Sequence, residues 1–226
     1  MKSIIKTSCS AALAIILVGC GSTDNGFTSG GPSGTNIIAQ KNFSVGFSDS
    51  NPAVVDADGN HGGIEVDIVI RSGDRNNAAV TAGTVQIRTE YGILSASSCQ
   101  LDSTGTCTVT WTSILQGIPV DLYNTVIAYT SGEESFFDFD GSGTYNPAND
   151  AIWLDTGEPY INMAPVRNFA SPTYNPAEDI LIDSNNNGVY DSVLDPGFNG
   201  YNCVANCASS TITTIWATST MNLYKP

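Results

Sequence analysis

The sequence predicts an all-β protein, an antiparallel β-sandwich interrupted by one long, mostly irregular insertion. Apolar and polar residues alternate in short runs bounded by Gly, Asn, Asp and Pro, which is the pattern of half-buried strands. This pattern stops near Phe137 and resumes near Ser210, and such a gap is too long for an ordinary sandwich loop. We therefore predict one domain over residues 37–226, with an insert at about residues 136–209.

The chain begins with the features of an export signal. Lys2 and Lys6 form a basic start, and residues 11–18 are an apolar run too short to span a bilayer. The LVGC motif that ends at Cys20 resembles the lipobox of bacterial lipoproteins. The resemblance implies a signal peptide over residues 1–19 and a lipid anchor on Cys20. An ordinary signal peptide cleaved near a cysteine is the alternative.

The residues after the signal peptide predict a flexible tether and the membrane in which the protein is anchored. Residues 20–36 are rich in Gly, Ser and Thr and have almost no apolar side chains, which is typical of a flexible linker. Gly21 follows the cysteine, and the resemblance to lipoproteins without Asp at that position implies the outer membrane if the cell is Gram-negative. The lipid-anchored protein would then face either the cell surface or the periplasm.

Period-two alternation marks six strand segments in the folded part. In the second segment Val66, Ile68 and Ile70 alternate with polar residues, so one face of that strand is expected to be buried. About seven such strands suggest a sandwich. In chain order the segments are residues 43–47, 65–71, 84–88, 107–112, 125–130 and 212–224.

Four cysteines remain when Cys9 of the signal peptide and the anchor residue are set aside. An exported chain meets an oxidising compartment, so disulfides are expected. Of the three possible pairings we predict the two local ones, Cys99 with Cys107 and Cys203 with Cys207. A turn signal between Cys99 and Cys107 predicts that the first bridge holds a hairpin. Zinc is the alternative, but the spacings and the lack of nearby His disfavour it.

The acidic insert contains two loops of the calcium-binding type. Loop 1 (residues 138–150) begins DFDGSGTYN, and loop 2 (residues 183–195) begins DSNNNGVYD. In both, oxygen side chains fall at positions 1, 3, 5 and 9 and Gly falls at position 6, as in the front part of an EF-hand loop, whose position 7 adds a backbone carbonyl. These residues are Asp138, Asp140, Ser142, Thr144 and Asn146 in loop 1, and Asp183, Asn185, Asn187, Val189 and Asp191 in loop 2.

Calcium is the predicted ligand of both loops. Calcium takes six to eight oxygens in flexible geometry, whereas magnesium resists dehydration and disfavours all-protein cages. Acidic turns without a metal are the alternative, but the matched spacing occurs twice. Residues 145–150 (YNPAND) recur as residues 174–179 (YNPAED), so we infer that the insert arose by duplication.

Composition excludes some functions and disfavours others. A formal charge of −14 leaves nothing to neutralise phosphate, so nucleic acid is not an expected partner. Asp155 and Glu158 could form the carboxylate pair of a glycosidase, but no cleft signature accompanies them. His61 is the only histidine and lies in a Gly-rich turn, without the partners of a catalytic triad. We predict no catalytic residues.

Two sets of motifs carry a family resemblance. The first set is DADGN at residues 56–60, the strand at residues 66–70, RTEYG at residues 88–92 and CQLDSTGTCTVTWTS at residues 99–113. These motifs resemble bacterial Ig-like domains of the invasin and intimin type. The second set is residues 128–146, DTGEPYIN at residues 155–162, FNGYNC at residues 198–203 and residues 213–224. This set resembles a subgroup in which a calcium-loop insert lies between the last two strands.

The resemblance implies an Ig-like sandwich at the cell surface that acts as a spacer or adhesive unit and is not an enzyme. It also implies ligands at Glu158 and Glu178, the recurring acidic position of the GEP motif, and we place Asp155 with them. The loop leading to Glu178 would begin at Arg167 and lacks carboxylates, so we expect that it has lost its ion.

The two loops depart from the EF-hand pattern at their ends. A bidentate Glu is expected at position 12, where loop 1 has Asn149 and loop 2 has Leu194. Asp150 and Asp195 lie one residue further on. We predict that each takes the role of the position-12 Glu, which completes the coordination at the end of the loop and is called the closing ligand below.

We expect a non-enzymatic, lipid-anchored protein with a calcium-stabilised Ig-like module for adhesion or surface assembly. Its partner on the surface could be a protein or a glycan, and the sequence leaves self-assembly open. The alternative is a calcium-dependent module that binds glycans or matrix. Trp153 and Trp216 could be sugar platforms in that case, although we favour packing, and Trp111 is expected in the core. Glu133 and Glu134 either reach a calcium ion or are solvated.

Overall fold

Short antiparallel strands make up nearly all of the regular secondary structure. A computed structural model describes residues 35–55, 62–114, 116–150, 152–155, 157–163 and 173–225. Within these ranges there is no α-helix, and the predicted all-β class is confirmed. The strands are β1 (Phe43–Phe47), β2 (Glu65–Ser72), β3 (Thr84–Thr89), β4 (Ile93–Leu94), β5 (Ser98–Gln100), β6 (Thr106–Thr112), β7 (Tyr123–Gly132), β8 (Ser135–Phe136), β9 (Trp153–Leu154), β10 (Tyr160–Ile161), β11 (Ile180–Leu181) and β12 (Thr213–Asn222).

Two four-stranded antiparallel sheets form the sandwich. One has the strand order β1-β2-β6-β4 and the other has the order β12-β7-β3-β5. Buried side chains from both sheets belong to one apolar core, to which β2 contributes Val66, Ile68 and Ile70. Trp111 on β6 is fully buried there, as predicted. The alternation in sequence therefore identified the inward faces correctly.

The sequence missed strands β4 and β5 and underestimated the length of β7. Both missed strands are short, two and three residues, so neither has room for a recognisable alternation. Strand β7 is buried on both faces along Asn124–Ala128, which removes the period-two signal there. It spans ten residues rather than the predicted six.

The disulfide between Cys99 and Cys107 joins the two sheets. Cys99 lies on β5, which pairs with β3, and Cys107 lies on β6, which pairs with β2 and β4. The predicted pairing is confirmed, but the predicted hairpin is wrong, because the turn between the cysteines carries the chain from one sheet to the other. The pairing of Cys203 with Cys207 is also confirmed.

The insert leaves the sandwich between two strands that pair with each other. Strands β7 and β12 form a ladder of ten residue pairs, from Thr213 opposite Gly132 to Asn222 opposite Tyr123. The intervening chain folds over two small hairpins, β8 with β9 and β10 with β11. The insert therefore begins and ends at the same end of this ladder, where Gly132 lies opposite Thr213, so its two ends lie side by side.

Aromatic side chains give the insert two small cores. Tyr145 is fully buried and contacts Phe136, Trp153 and Phe198, with ring centroids 4.6–5.7 Å apart. The second cluster packs on the outer face of the β7–β12 sheet and includes Trp216, whose Nε1 donates to the Gly157 carbonyl at 3.2 Å. The predicted packing of Trp153 and Trp216 agrees with these contacts. The insert therefore has apolar clusters of its own that support its fold.

Several predicted features lie outside the described residues. These are the signal peptide, the lipidated Cys20, most of the tether, the DADGN motif, His61 and Arg167. Within the described residues, no helix has both the length and the apolar character needed to cross a membrane.

Candidate metal centre

Loop 1 curls its first carboxylate inward onto its own backbone. Asp138 Oδ1 accepts the N–H of Ser142 at 3.0 Å, and Asp138 Oδ2 accepts the N–H of Gly143 at 2.9 Å. Gly143 has φ 70°, a left-handed conformation that suits glycine at position 6. Asp140 Oδ1 also accepts the Ser142 N–H, at 3.0 Å. Hydrogen bonds from Ser142 and Asn149 lower the pKa of Asp140, so this carboxylate is charged.

Asp150 closes loop 1. Its Oδ1 accepts the N–H of Phe139 at 2.9 Å and its Oδ2 accepts the N–H of Asn146 at 3.1 Å, although the residue itself is fully buried. Carboxylate oxygens of Asp138, Asp140 and Asp150 all lie within 4.8 Å of one another. Among the described residues this is the one cluster of three carboxylates so close together. Asp150 thus occupies the closing place that the sequence predicted for it.

Loop 2 repeats the hydrogen bonds of loop 1. Asp183 Oδ1 accepts the N–H of Asn187 at 3.1 Å and Asp183 Oδ2 accepts the N–H of Gly188 at 2.7 Å. Asn185 Oδ1 accepts the same Asn187 N–H at 3.0 Å. Asp191 Oδ2 accepts hydrogen bonds from the side-chain amides of Asn185 and Asn187. The two loops therefore share one backbone conformation at positions 1 to 6.

Glu158, not Asp195, closes loop 2. Glu158 is fully buried; its Oε1 accepts the N–H and Oγ–H of Ser184, at 2.8 and 3.0 Å, and its Oε2 accepts the N–H of Asp191 at 3.2 Å. These are the contacts that Asp150 makes to positions 2 and 9 of loop 1. Asp195 instead accepts from Ser209 Oγ at 2.8 Å and Ser210 N at 3.3 Å. The prediction that Asp195 closes loop 2 was therefore wrong, because its carboxylate binds Ser209 and Ser210 while Glu158 contacts positions 2 and 9 of the loop.

The duplicated YNPAED segment forms a third turn of the same kind. Asp179 accepts the N–H of Met163 at 2.9 Å and the N–H of Asn175 at 2.8 Å, as Asp150 does with Phe139 and Asn146. The predicted ligand Glu178 is exposed and accepts only a bond from Asn175 Nδ2 among its described contacts. The closing residue of this turn is thus Asp179, which the position of Asp150 in the repeat could have indicated.

Glu133 and Glu134 have different partners. Glu133 is buried and forms an ion pair with Arg75, whose Nε lies 3.0 Å from Glu133 Oε1. Glu134 accepts the N–H of Asn199 at 2.8 Å. Burial, together with the charges of Asp155 and Asp195, raises the pKa of Glu134 to about 7. Neither side chain is simply solvated, and Glu133 is neutralised without a metal.

The predicted ligand Asp155 lies next to the closing residue of loop 2. It accepts the N–H of Gly157 at 3.1 Å in a tight turn that leads to Glu158. Because Glu158 is fully buried and holds the backbone of loop 2, these two carboxylates do not form an open pair across a cleft. The geometry therefore gives no support to a glycosidase site here.

Two exposed aromatic rings flank the first carboxylate of loop 1. Phe137 and Phe139 are 51% and 66% exposed, and their rings stack with centroids 6.3 Å apart. Large apolar side chains exposed as a contiguous pair are typical of binding surfaces. The sequence pointed to Trp153 and Trp216 as the alternative sugar platforms, whereas the exposed rings are those on either side of Asp138.

The arrangement provides hard oxygen donors without nitrogen or sulfur ligands, and it suits binding of a cation more than acid–base chemistry. Loop 1 brings its predicted residues together, loop 2 does so with Glu158 in place of Asp195, and Glu178 lies apart from both.

A comparison of the chain with models of known protein families and with curated proteins found no match.

Proposed function

We propose that this chain is a non-enzymatic, lipid-anchored outer-membrane protein whose Ig-like module carries a calcium-stabilised insert and serves adhesion or surface assembly. The observation that carries the proposal is the gathering of Asp138, Asp140 and Asp150 within 4.8 Å. Three carboxylates at such distances repel one another in the absence of a positive charge, and calcium relieves that repulsion.

The donor set of loop 1 fits calcium. Calcium–oxygen distances of about 2.3–2.6 Å place ligands on opposite sides of the ion about 4.6–5.2 Å apart. The three carboxylates meet that limit. The residues that would hold the ion are Asp138, Asp140, Ser142, Asn146 and Asp150, with the carbonyl of Thr144; in loop 2 they are Asp183, Asn185, Asn187, Asp191 and Glu158, with the carbonyl of Val189.

The strand order supports the Ig-like part of the proposal. Sheet β1-β2-β6-β4 matches the A-B-E-D order of constant-type Ig sandwiches, and strands β12-β7-β3 match the G-F-C order, with β5 as an additional edge strand. The lipobox-like motif at Cys20 supports the anchor, and the formal charge of −14 suits a protein that binds cations.

Calcium is expected to stabilise the protein against heat and proteolysis. At a hundredfold excess over its dissociation constant each ion contributes about 2.7 kcal/mol. Two loops would then contribute about 5 kcal/mol, which corresponds to a rise in melting temperature of roughly 10–20 °C. Differential scanning calorimetry and limited proteolysis of the purified protein, in EDTA and in millimolar calcium, measure this shift.

Asp102→Asn provides the matched control, because Asp102 is an exposed turn aspartate of the sandwich that accepts hydrogen bonds from Thr104 and Thr106. This variant should retain the full calcium-dependent shift, whereas Asp138→Asn should lose about half of it. A melting temperature and a cleavage pattern unaffected by calcium would refute the proposed role of the loops.

A second candidate function is calcium-dependent binding of glycans or matrix. The exposed, stacked rings of Phe137 and Phe139 favour it, because they border the carboxylates of loop 1. Aromatic rings beside a bound cation offer an apolar platform and polar coordination to one sugar.

The double substitution Phe137→Ala with Phe139→Ala separates the two functions. If the surface binds glycan, binding on a glycan array should require calcium and should fall at least tenfold in the double variant. The melting temperature should change little, since both rings are largely exposed. Calcium-dependent stability without any glycan signal would leave adhesion or assembly as the function.

A further inference from the structure

Cys203, Cys207 and the three residues between them form a disulfide ring that lies against loop 1. Tyr145, at position 8 of loop 1, pairs with Cys203 in an isolated parallel bridge. The Tyr145 N–H donates to the Asn202 carbonyl at 2.8 Å, and the Tyr145 carbonyl accepts the Val204 N–H at 3.0 Å. Both backbone groups of Tyr145 are therefore held by the chain on either side of Cys203.

These bonds act on the part of loop 1 that supplies two of its proposed ligands. Tyr145 stands between Thr144, whose carbonyl is the position-7 ligand, and Asn146, whose side chain is the position-9 ligand. Asn202 adds a third contact, because its Nδ2 donates to the Gly143 carbonyl at 3.0 Å. The backbone of loop 1 is thus held from outside at positions 6 and 8.

The other side of the disulfide ring is bound to the aromatic core of the insert. Phe198 is buried; its N–H donates to the Asn206 carbonyl at 2.9 Å, and its carbonyl accepts the Ala208 N–H at 3.0 Å. The ring of Phe198 packs on that of Tyr145, with centroids 4.6 Å apart. The disulfide therefore ties the segment that holds loop 1 to a segment that is fixed in the core.

Loop 2 lacks a comparable support, which makes it an internal comparison. Its position-8 residue is Tyr190, and within the described part of the chain no backbone hydrogen bond is made to the N–H or carbonyl of Tyr190. The ring of Tyr190 stacks on Tyr174 instead, with centroids 4.4 Å apart. The two loops share positions 1 to 6, but only loop 1 has position 8 held by a disulfide ring.

The two disulfides differ in their access to solvent. Cys207 is exposed and Cys203 is half-buried, whereas Cys107 is buried in the sandwich core and Cys99 is half-buried. Attack by a thiolate on a disulfide requires access to one of its sulfurs. A dissolved dithiol should therefore reduce the disulfide of the insert before it reduces that of the sandwich.

We propose that the disulfide between Cys203 and Cys207 sets the calcium affinity of loop 1, so that its reduction weakens calcium binding there and leaves loop 2 unchanged. In the reduction the S–S bond breaks and each sulfur takes up one electron and one proton, while the dithiol that supplies them closes to its own disulfide. The open chain holds Tyr145 less firmly, so calcium must order the loop as it binds. The inference rests on the calcium binding proposed above for loop 1.

Calorimetric titration with calcium chloride tests the proposal one loop at a time. Asp183→Asn leaves loop 1 as the proposed site, and in this background Cys203→Ser with Cys207→Ser should weaken calcium binding about tenfold. Asp138→Asn leaves loop 2, and there the same pair of serines should not change the affinity. A loss of equal size in both backgrounds would indicate general loosening of the insert and would overturn the proposal.

Asn202→Ala tests the contact to loop 1 without opening the disulfide. Asn202 is exposed, so the substitution removes one hydrogen bond to the Gly143 carbonyl and leaves the core intact. In the Asp183→Asn background it should weaken calcium binding about fivefold. The matched control is Asn76→Ala, at an exposed asparagine in a turn of the sandwich, which should keep the affinity.

Calcium should in turn protect the disulfide, because coupling between two equilibria is reciprocal. A tenfold preference of calcium for the oxidised form lowers the midpoint potential of Cys203 and Cys207 by about 30 mV at saturating calcium. Equilibration of the full-length protein with a dithiothreitol series, followed by alkylation and peptide mapping, measures this midpoint with and without calcium. Asp138→Asn should abolish the shift.

The outcomes separate this inference from the proposed function. Equal calcium affinities with and without the disulfide, or a midpoint that calcium does not move, would overturn the inference and leave calcium binding by loop 1 in place. If the Asp183→Asn protein binds no calcium, calcium binding by loop 1 fails and the inference fails with it. If the double serine variant does not fold, Asn202→Ala and the midpoint shift decide.

Discussion

Replacing Glu158 by glutamine is expected to remove one bound calcium ion and to destabilise loop 2 by about 3 kcal/mol even without calcium. The amide keeps one oxygen for Ser184, but its nitrogen takes the place of the oxygen that accepts the Asp191 N–H. Two donors would then face each other in a fully buried site. Calorimetric titration counts the ions, and urea unfolding in EDTA measures the free energy.

Glu178→Gln is the matched control for this substitution. Glu178 belongs to the neighbouring turn, is exposed, and accepts one described hydrogen bond, from Asn175 Nδ2 at 3.0 Å. Its substitution should leave both the ion count and the free energy of unfolding nearly unchanged. Equal effects of the two variants, or a full ion count in Glu158→Gln, would show that Glu158 does not close a calcium site.

Replacing Gly92 by alanine is expected to destabilise the sandwich by about 3–5 kcal/mol. Gly92 has φ 86°, and a Cβ there would lie 2.1 Å from Trp111 Nε1 and 2.8 Å from the Thr112 carbonyl oxygen. Trp111 is fully buried, and its Nε1 donates to the Tyr91 carbonyl, so the indole cannot move without losing packing and a hydrogen bond. Urea unfolding in the presence of calcium measures the loss.

Gly117→Ala separates the cost of a left-handed backbone from the cost of the steric clash with Trp111. Gly117 has φ 80°, but nothing lies within 4 Å of a Cβ placed there. This variant should cost only the roughly 1–2 kcal/mol of a left-handed alanine. If both variants lose the same free energy, the contact with Trp111 is not what requires glycine at residue 92.

Loop 1 could be predicted almost completely because its ligands are local. The spacing of the ligand residues along the chain determines which side chains point inward, because Gly143 provides the turn. The closing ligand Asp150 follows within the same short segment. The same reasoning failed for loop 2. Glu158 precedes Asp183 by 25 positions, and the register of β10 with β11 brings it there. No local pattern contains that register.

The packing of the insert was also not predictable from sequence. Its aromatic residues are scattered along the chain, so their positions did not indicate which of them pack together. Tyr145 gathers Phe136, Trp153 and Phe198 through contacts between segments up to 62 residues apart, as with Phe136 and Phe198. A core assembled by such long-range contacts leaves no periodicity to read.

Local pattern was sufficient for the all-β class, the main strands, both disulfide pairings and the front of each calcium-type loop, because these depend on residue spacing and short-range geometry. The fold alone decided that Glu158 closes loop 2, that Asp195 does not, that the first disulfide spans two sheets, and that Glu134 meets Asn199. Each of these depends on how strands pair across long separations, and many pairings are compatible with one alternating pattern.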